Sequence, residues 1–266
     1  MPQPSIAYAV GRVRAHARRP LGEAQLERLL SAATYEDALR MLTEMGWPDT
    51  QDSDVDTLSI GILEQACGLL RDISPQPELT DTFLLRHDAR NLKALLKARI
   101  LGVKPEGLSR CGTIPLDVMR HAVTERDYKK LPEILRQAMV ALEKQVALDV
   151  DPMAIDVRLD QALYSEIASR MKTSGSLPAK RYFEAKVDFH NAVALLRLNR
   201  IPDQQLRLSD FLLPGGTVGK RQWQAIAAAP ETLPNAFKAY DARLRDKLRL
   251  AQQDGRQIPA LEKAVD

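Results

Sequence analysis

The chain has 266 residues, enough to bury a sizeable core and enough to divide into two or three small units. Its composition is 45% hydrophobic, 27% charged and only 5% aromatic, a mixture that favours helix over strand. The net charge of +3 is too small to announce a nucleic-acid binder, and Cys67 and Cys111 lie too far apart to suggest a disulfide framework or a zinc site.

The opening stretch MPQPSIAYAVGRVRAHARRP is basic without the apolar centre of a signal peptide. No later segment approaches the roughly 18 to 20 apolar residues that span a bilayer. A cytoplasmic protein is expected, with any membrane association supplied by a partner. PLGEAQLERLLSAATYEDALRML follows with helical period at Leu26, Leu29 and Leu30, and Gly46-Trp47-Pro48 breaks it. The run ISPQPELTD, 73–81, is the next break, and Thr80 or Asp81 is the predicted N-cap of the helix carrying RHDARNLK.

That helix has three faces at about one hundred degrees per residue. Leu85, Ala89, Leu92 and Leu96 form an apolar stripe; Leu84, Asp88, Asn91 and Leu95 form a second with two polar members. Asp88 and Asn91 read as polar groups satisfied within a partly buried helix crossing. Arg86, Arg90, Lys93 and Lys97 form a third, basic face, which is either solvated surface or a docking surface for an acidic partner. Breaks follow at Gly102 to Gly107 and at TSGSLP, 173–178, on either side of an amphipathic helix with Leu131, Ile134, Leu135, Ala138, Leu142 and Val146. Phe237, Tyr240, Leu244, Leu248 and Ala251 predict a further helix near the end.

Internal similarity organises these elements. FLLRHDARNLKALLKARI (83–100) matches FEAKVDFHNAVALLRLNR (183–200) without a gap, so that Phe83, Asp88, Asn91, Ala94, Leu95 and Leu96 meet Phe183, Asp188, Asn191, Ala194, Leu195 and Leu196. Behind each helix, CGTIPLDVMRHAVTERDYKKLPEIL resembles GGTVGKRQWQAIAAAPETLPNAF. Met119, Ala122 and Val123 there match Trp223, Ile226 and Ala227, and upstream Leu26, Leu29 and Leu30 form a third copy. The terminal LEKAVD echoes IDVRLDQAL (155–163), as if another unit began there, and a truncated third unit is the expectation.

Catalytic chemistry is not suggested. LLPGGTVGKRQW has Gly219 and Lys220 in Walker A positions, but Pro214 replaces the first glycine and Arg221 replaces the magnesium-binding hydroxyl. Its glycines occupy the turn that Cys111-Gly112-Thr113 occupies in the preceding copy, which makes them a helix-to-helix turn. His16, His87, His121 and His190 lack the i, i+4 pairing of a metal site, and no G-x-S-x-G surrounds any serine. No catalytic, cofactor or metal residue is nominated.

Taken in order, YAVGRVRAHARRPL, LERLLSAATYEDALRMLTEMGW, DARNLKALLKARILG, DFHNAVALLRLNR, LLPGGTVG and LEKAVD resemble the C subunit of bacterial and archaeal V-type (A-type) rotary ATPases, a relative of the vacuolar d subunit. The resemblance runs along nearly the whole chain and implies an all-α fold of three pseudo-repeated helical lobes, about 1–80, 81–180 and 181–266, forming a funnel whose third lobe is incomplete here. It implies a non-catalytic coupling subunit on the cytoplasmic side of the proteolipid ring, receiving the shaft made by the D and F subunits, without nucleotide, nucleic acid or cofactor. The family carries no contact residue over to this chain; Arg86, Arg90, Lys93 and Lys97 are nominated from their shared face alone. The alternative is a free-standing helical-repeat module that presents its basic face to an acidic partner or RNA, with few aromatics to serve as stacking platforms.

Overall fold

Apolar residues spaced at three and four produce helices throughout the structure, a computed structural model that describes residues 4–16, 22–47, 55–148, 151–201 and 206–265. Among these residues there is no strand. The chain divides into two compact units, residues 1–127 and 128–266.

The first unit contains α1 (Ile6–His16), α2 (Glu23–Leu30), α3 (Tyr35–Glu44), α4 (Val55–Ile73), α5 (Pro77–Leu101) and α6 (Leu116–Glu125). Helix α5 packs on α4 and α6. Both of its apolar stripes are buried, and so are Asp88 and Asn91. It starts earlier than Thr80 or Asp81: Gln76 is the N-cap and Pro77 takes the first turn, where a missing N–H costs nothing. It ends at Gly102, whose φ of 67° turns the chain into a left-handed cap.

Helices α1 to α3 are different. None of them buries a residue completely. Leu26 and Leu30, the expected counterparts of Met119 and Val123, are 48% and 87% exposed, so the upstream copy repeats the pattern without the burial. Helix α2 meets α3, and only a half-buried Leu29 remains from its apolar triplet. Of the Gly46-Trp47-Pro48 break, Pro48 lies outside the described residues, as does Asp266 of the terminal echo.

The second unit contains α7 (Glu133–Val146), α8 (Pro152–Thr173), α9 (Leu177–Leu198), α10 (Leu208–Phe211), α11 (Lys220–Ala228), α12 (Leu233–Ala236), α13 (Ala242–Gln253) and α14 (Ile258–Val265). On α7 the buried line is Leu135, Met139 and Leu142, with Ala138 and Val146 at its margins. Helix α8 is capped by Asp151, whose carboxylate accepts from Met153 N at 2.8 Å, and packs against α7 and α9.

The stretch predicted as one helix from Phe237 to Ala251 is broken. Phe237 closes α12, and Asp241 caps the new helix α13 by accepting from Arg243 N at 2.8 Å. The break lets Phe237 point into an aromatic cluster with Phe189 (4.8 Å between ring centroids), Tyr240 (5.4 Å) and Trp223 (6.3 Å). Around it Ile226, Leu233, Leu248, Ala251 and Leu261 complete the core, while Ala227, expected among them, is exposed.

Two leucines on α13 separate core from surface. Leu248 is fully buried and Leu250 is 52% exposed. Leu248→Ala is expected to lower unfolding stability by about 2–5 kcal/mol, through lost transfer energy and the cavity left behind. Leu250→Ala should stay within about 0.5 kcal/mol of the parent. Urea unfolding followed by circular dichroism measures both.

Candidate functional site

The two copies of Asp-x-x-Asn perform the same task in each unit. On α5, Asp88 accepts hydrogen bonds from Thr113 N (2.8 Å), Thr113 Oγ1 (2.8 Å) and Ile114 N (3.0 Å). One turn further along, Asn91 receives Ser109 N at 3.0 Å and donates to Ser109 O at 2.7 Å. On α9, Asp188 accepts from Thr217 N (2.9 Å), Thr217 Oγ1 (2.5 Å) and Val218 N (3.1 Å), and Asn191 makes the paired contacts with Leu213 N and O. The partners are therefore backbone groups and one threonine hydroxyl of the following turn, 109–114 or 213–218. Each carboxylate and amide grips the chain just before the next helix, α6 or α11.

Neighbouring segments complete the grip with different residues. In the first unit Arg71 of α4 donates to the carbonyls of Cys111 and Gly112, and Glu64 accepts from Arg110 N at 2.6 Å. In the second, Gln161 of α8 donates to Asp210 O and Leu212 O, and the Tyr240 hydroxyl reaches Asp188 at 2.6 Å. Burial pushes the Asp88 carboxyl above its usual range, against its three hydrogen bonds and the Arg71 charge, which pull it down. Burial and the Asp188 carboxylate push the Tyr240 phenol up.

This geometry accounts for the glycine turn. Thr217 N and Val218 N, the donors a phosphate cradle would need, face the buried Asp188 carboxylate. Gly215 has φ 101°, and a Cβ on Gly216 would overlap Asp188 Oδ1. Gly112 stands in the same relation to Asp88. Glycine is required at both places because a backbone must lie against a carboxylate.

The four nominated cations of α5 do not share one environment. Arg86 and Arg90 are exposed; Lys93 and Lys97 are half-buried. Arg99, two residues beyond Lys97, donates to Val123 O at 2.6 Å and so serves the end of α6. Beneath Arg86, its Nε donates to His87 Nε2 at 3.4 Å. Burial, then the charges of Arg86, Arg90 and Arg71, lower the His87 imidazole to about 4. His87 is buried beside Cys67 of α4 and Cys111 of the turn, with one ligand atom from each within 4.8 Å of the others. Residue spacing could not reveal this cluster, because its members come from three separate elements.

The model of the ATP synthase (C/AC39) subunit family matches residues 9–266. The chain belongs to that family. Its members are non-catalytic central-stalk subunits of V/A-type ATPases that couple the rotor shaft to the proteolipid ring, and this C/AC39 subunit has no active site of its own. No curated protein matches the chain. Among the described residues no helix is long and apolar enough to cross a membrane.

The grips hold the turn before each short helix to a long one. Gly112→Ala and Gly216→Ala should each lower stability by about 2–4 kcal/mol, because the new methyl dislodges a buried carboxylate from its donors. Gly68→Ala is the control: it lies within α4, its Cβ would meet nothing within 4 Å, and it should raise stability by up to about 1 kcal/mol. Thermal unfolding of the three variants beside the parent decides this.

Proposed function

We propose that this C/AC39 subunit forms a funnel of three pseudo-repeated helical lobes, about 1–80, 81–180 and 181–266, on the cytoplasmic face of the membrane. It receives the shaft made by the D and F subunits and rests on the proteolipid ring. The family match over residues 9–266 carries this reading. Support for the lobes comes from the grip built at Asp88–Asn91 and rebuilt at Asp188–Asn191, because repeated units share packing devices.

The basic face of α5 is the proposed docking surface, with Arg86 and Arg90 as its solvent-facing members and Lys93 and Lys97 at its edge. Long-range attraction between such a face and an acidic partner raises the encounter rate more than it raises affinity. Torque then passes through the gripped helices without nucleotide chemistry in this chain.

Size-exclusion chromatography with light scattering, on the chain mixed with the D and F subunits of the same enzyme, tests the assignment. One complex containing one copy of each is expected. Separate elution of the intact chain from both would overturn it. For the docking face, Arg86→Glu with Arg90→Glu should slow association at low salt by about tenfold or more, with the difference shrinking as salt screens it. Stopped-flow association rates unaffected by the double reversal would remove α5 from the interface.

A further inference from the structure

The repeat exposes residues that the grip does not need. In the second unit Asp188 and Asn191 hold their turn with Val187 at the position matching His87 and Gly215 at the position matching Cys111. An imidazole and a thiol are thus dispensable for the fold of the turn. Yet the first unit places both, with a second thiol, in one buried pocket: Cys67, His87 and Cys111 are 3%, 5% and 0% exposed.

We propose that Cys67, His87 and Cys111 form a binding site for one soft, thiophilic metal ion, held by two thiolates and one imidazole. Ligand type supports this, since thiolate and imidazole donors select copper(I) and zinc(II) over oxygen-seeking ions. Geometry supports it too. Metal–sulfur and metal–nitrogen bonds of about 2.3 and 2.0–2.1 Å put neighbouring ligand atoms roughly 3.4–4 Å apart. The three donors, already within 4.8 Å, close around an ion by shifts of about an ångström or less.

The donors are available at little structural cost. The Cys111 thiol now donates to Leu63 O at 3.3 Å, a helix carbonyl already served within α4 by the N–H four residues on. The weak contact from Arg86 to His87 can be given up, because Arg86 is exposed and its head can turn to solvent. Binding replaces two S–H protons by one metal ion and releases both protons to solvent. Burial and the neighbouring Cys111 push the free Cys67 thiol up to about 12, so the ion itself must drive its deprotonation.

Ligand number and charge favour copper(I). No fourth histidine, cysteine or carboxylate joins the cluster among the described residues, and a zinc(II) ion in a closed structural site almost always takes four protein ligands. A copper(I) ion with two thiolates leaves one negative charge, which the guanidinium group of Arg71, within electrostatic reach of Cys67, offsets. A zinc(II) ion with the same two thiolates would be neutral and would draw no such stabilisation from Arg71. The bound ion would tie α4, α5 and the 109–114 turn together beside the Asp88 grip.

The test uses the full chain, reduced and stripped of metal, titrated with copper(I) and with zinc(II) against a chromophoric chelator under anaerobic conditions. One copper(I) per chain is expected, with at least about tenfold weaker binding in His87→Gln and a larger loss in Cys67→Ser. Variants that retain parent affinity would overturn the site. X-ray absorption on the loaded parent protein requires no variant to fold: a shell of two sulfurs and one nitrogen supports the proposal, and a shell without two sulfurs overturns it. Zinc(II) displacing copper(I) in competition would overturn the choice of ion.

Discussion

A carboxylate buried without water must be met by donors, and in this protein that constraint ties each long helix to the turn that follows it. Asp88 and Asp188 are completely inaccessible, and each takes two backbone N–H groups and a threonine hydroxyl. Leaving such a group unpaired costs far more than any one of its hydrogen bonds contributes. The turn therefore has one low-energy path over the helix, and asparagine one turn later fixes its other end. From that path follow the glycines at 112 and 216 and the entry of α6 and α11 into their cores, with Met119 and Trp223 buried behind them.

A coupling subunit has to pass a twisting load between partners without dissipating it in its own loops. Helices joined by free loops would swing under load. Here each joint is held by side chains from two sides, the Asp-x-x-Asn helix and its neighbour, through Arg71 and Glu64 in one unit and Gln161 in the other. The grip is shared while the reinforcing residues differ, as expected where a common joint works in two different settings. The glycine motif of this rotary-ATPase subunit is consequently a packed joint in the polypeptide, with the N–H groups of Thr217 and Val218 turned inward to aspartate.

The two units keep their cores in different ways. The second closes on a cluster of aromatic rings, Phe189, Trp223, Phe237 and Tyr240, in a chain otherwise poor in them. The first has aliphatic side chains on α5 and a pocket of sulfur and imidazole where its relative has valine and glycine. That difference cannot come from the shared joint, and it marks the Cys67, His87 and Cys111 pocket as a feature of the first unit alone.

Helical period and internal similarity were legible from the amino acids, because burial of one face imposes a spacing that any helix must show. They located the two long helices, the matched Asp88 and Asp188, Asn91 and Asn191, and the structural character of the glycine turn. Reading the same period as burial failed where partners were lacking: Leu26 and Leu30 carry the pattern of a core helix and remain exposed. It also failed at Asp241, where a local cap outweighs a continuous apolar line. What Asp88 and Asn91 hold was decided by tertiary structure alone, since their partners lie about twenty residues away on a turn with no period of its own. The same holds for Cys67, His87 and Cys111. Sequence determines which groups a helix presents, but proximity between elements arises only when three of them pack, and spacing along the chain contains no measure of it.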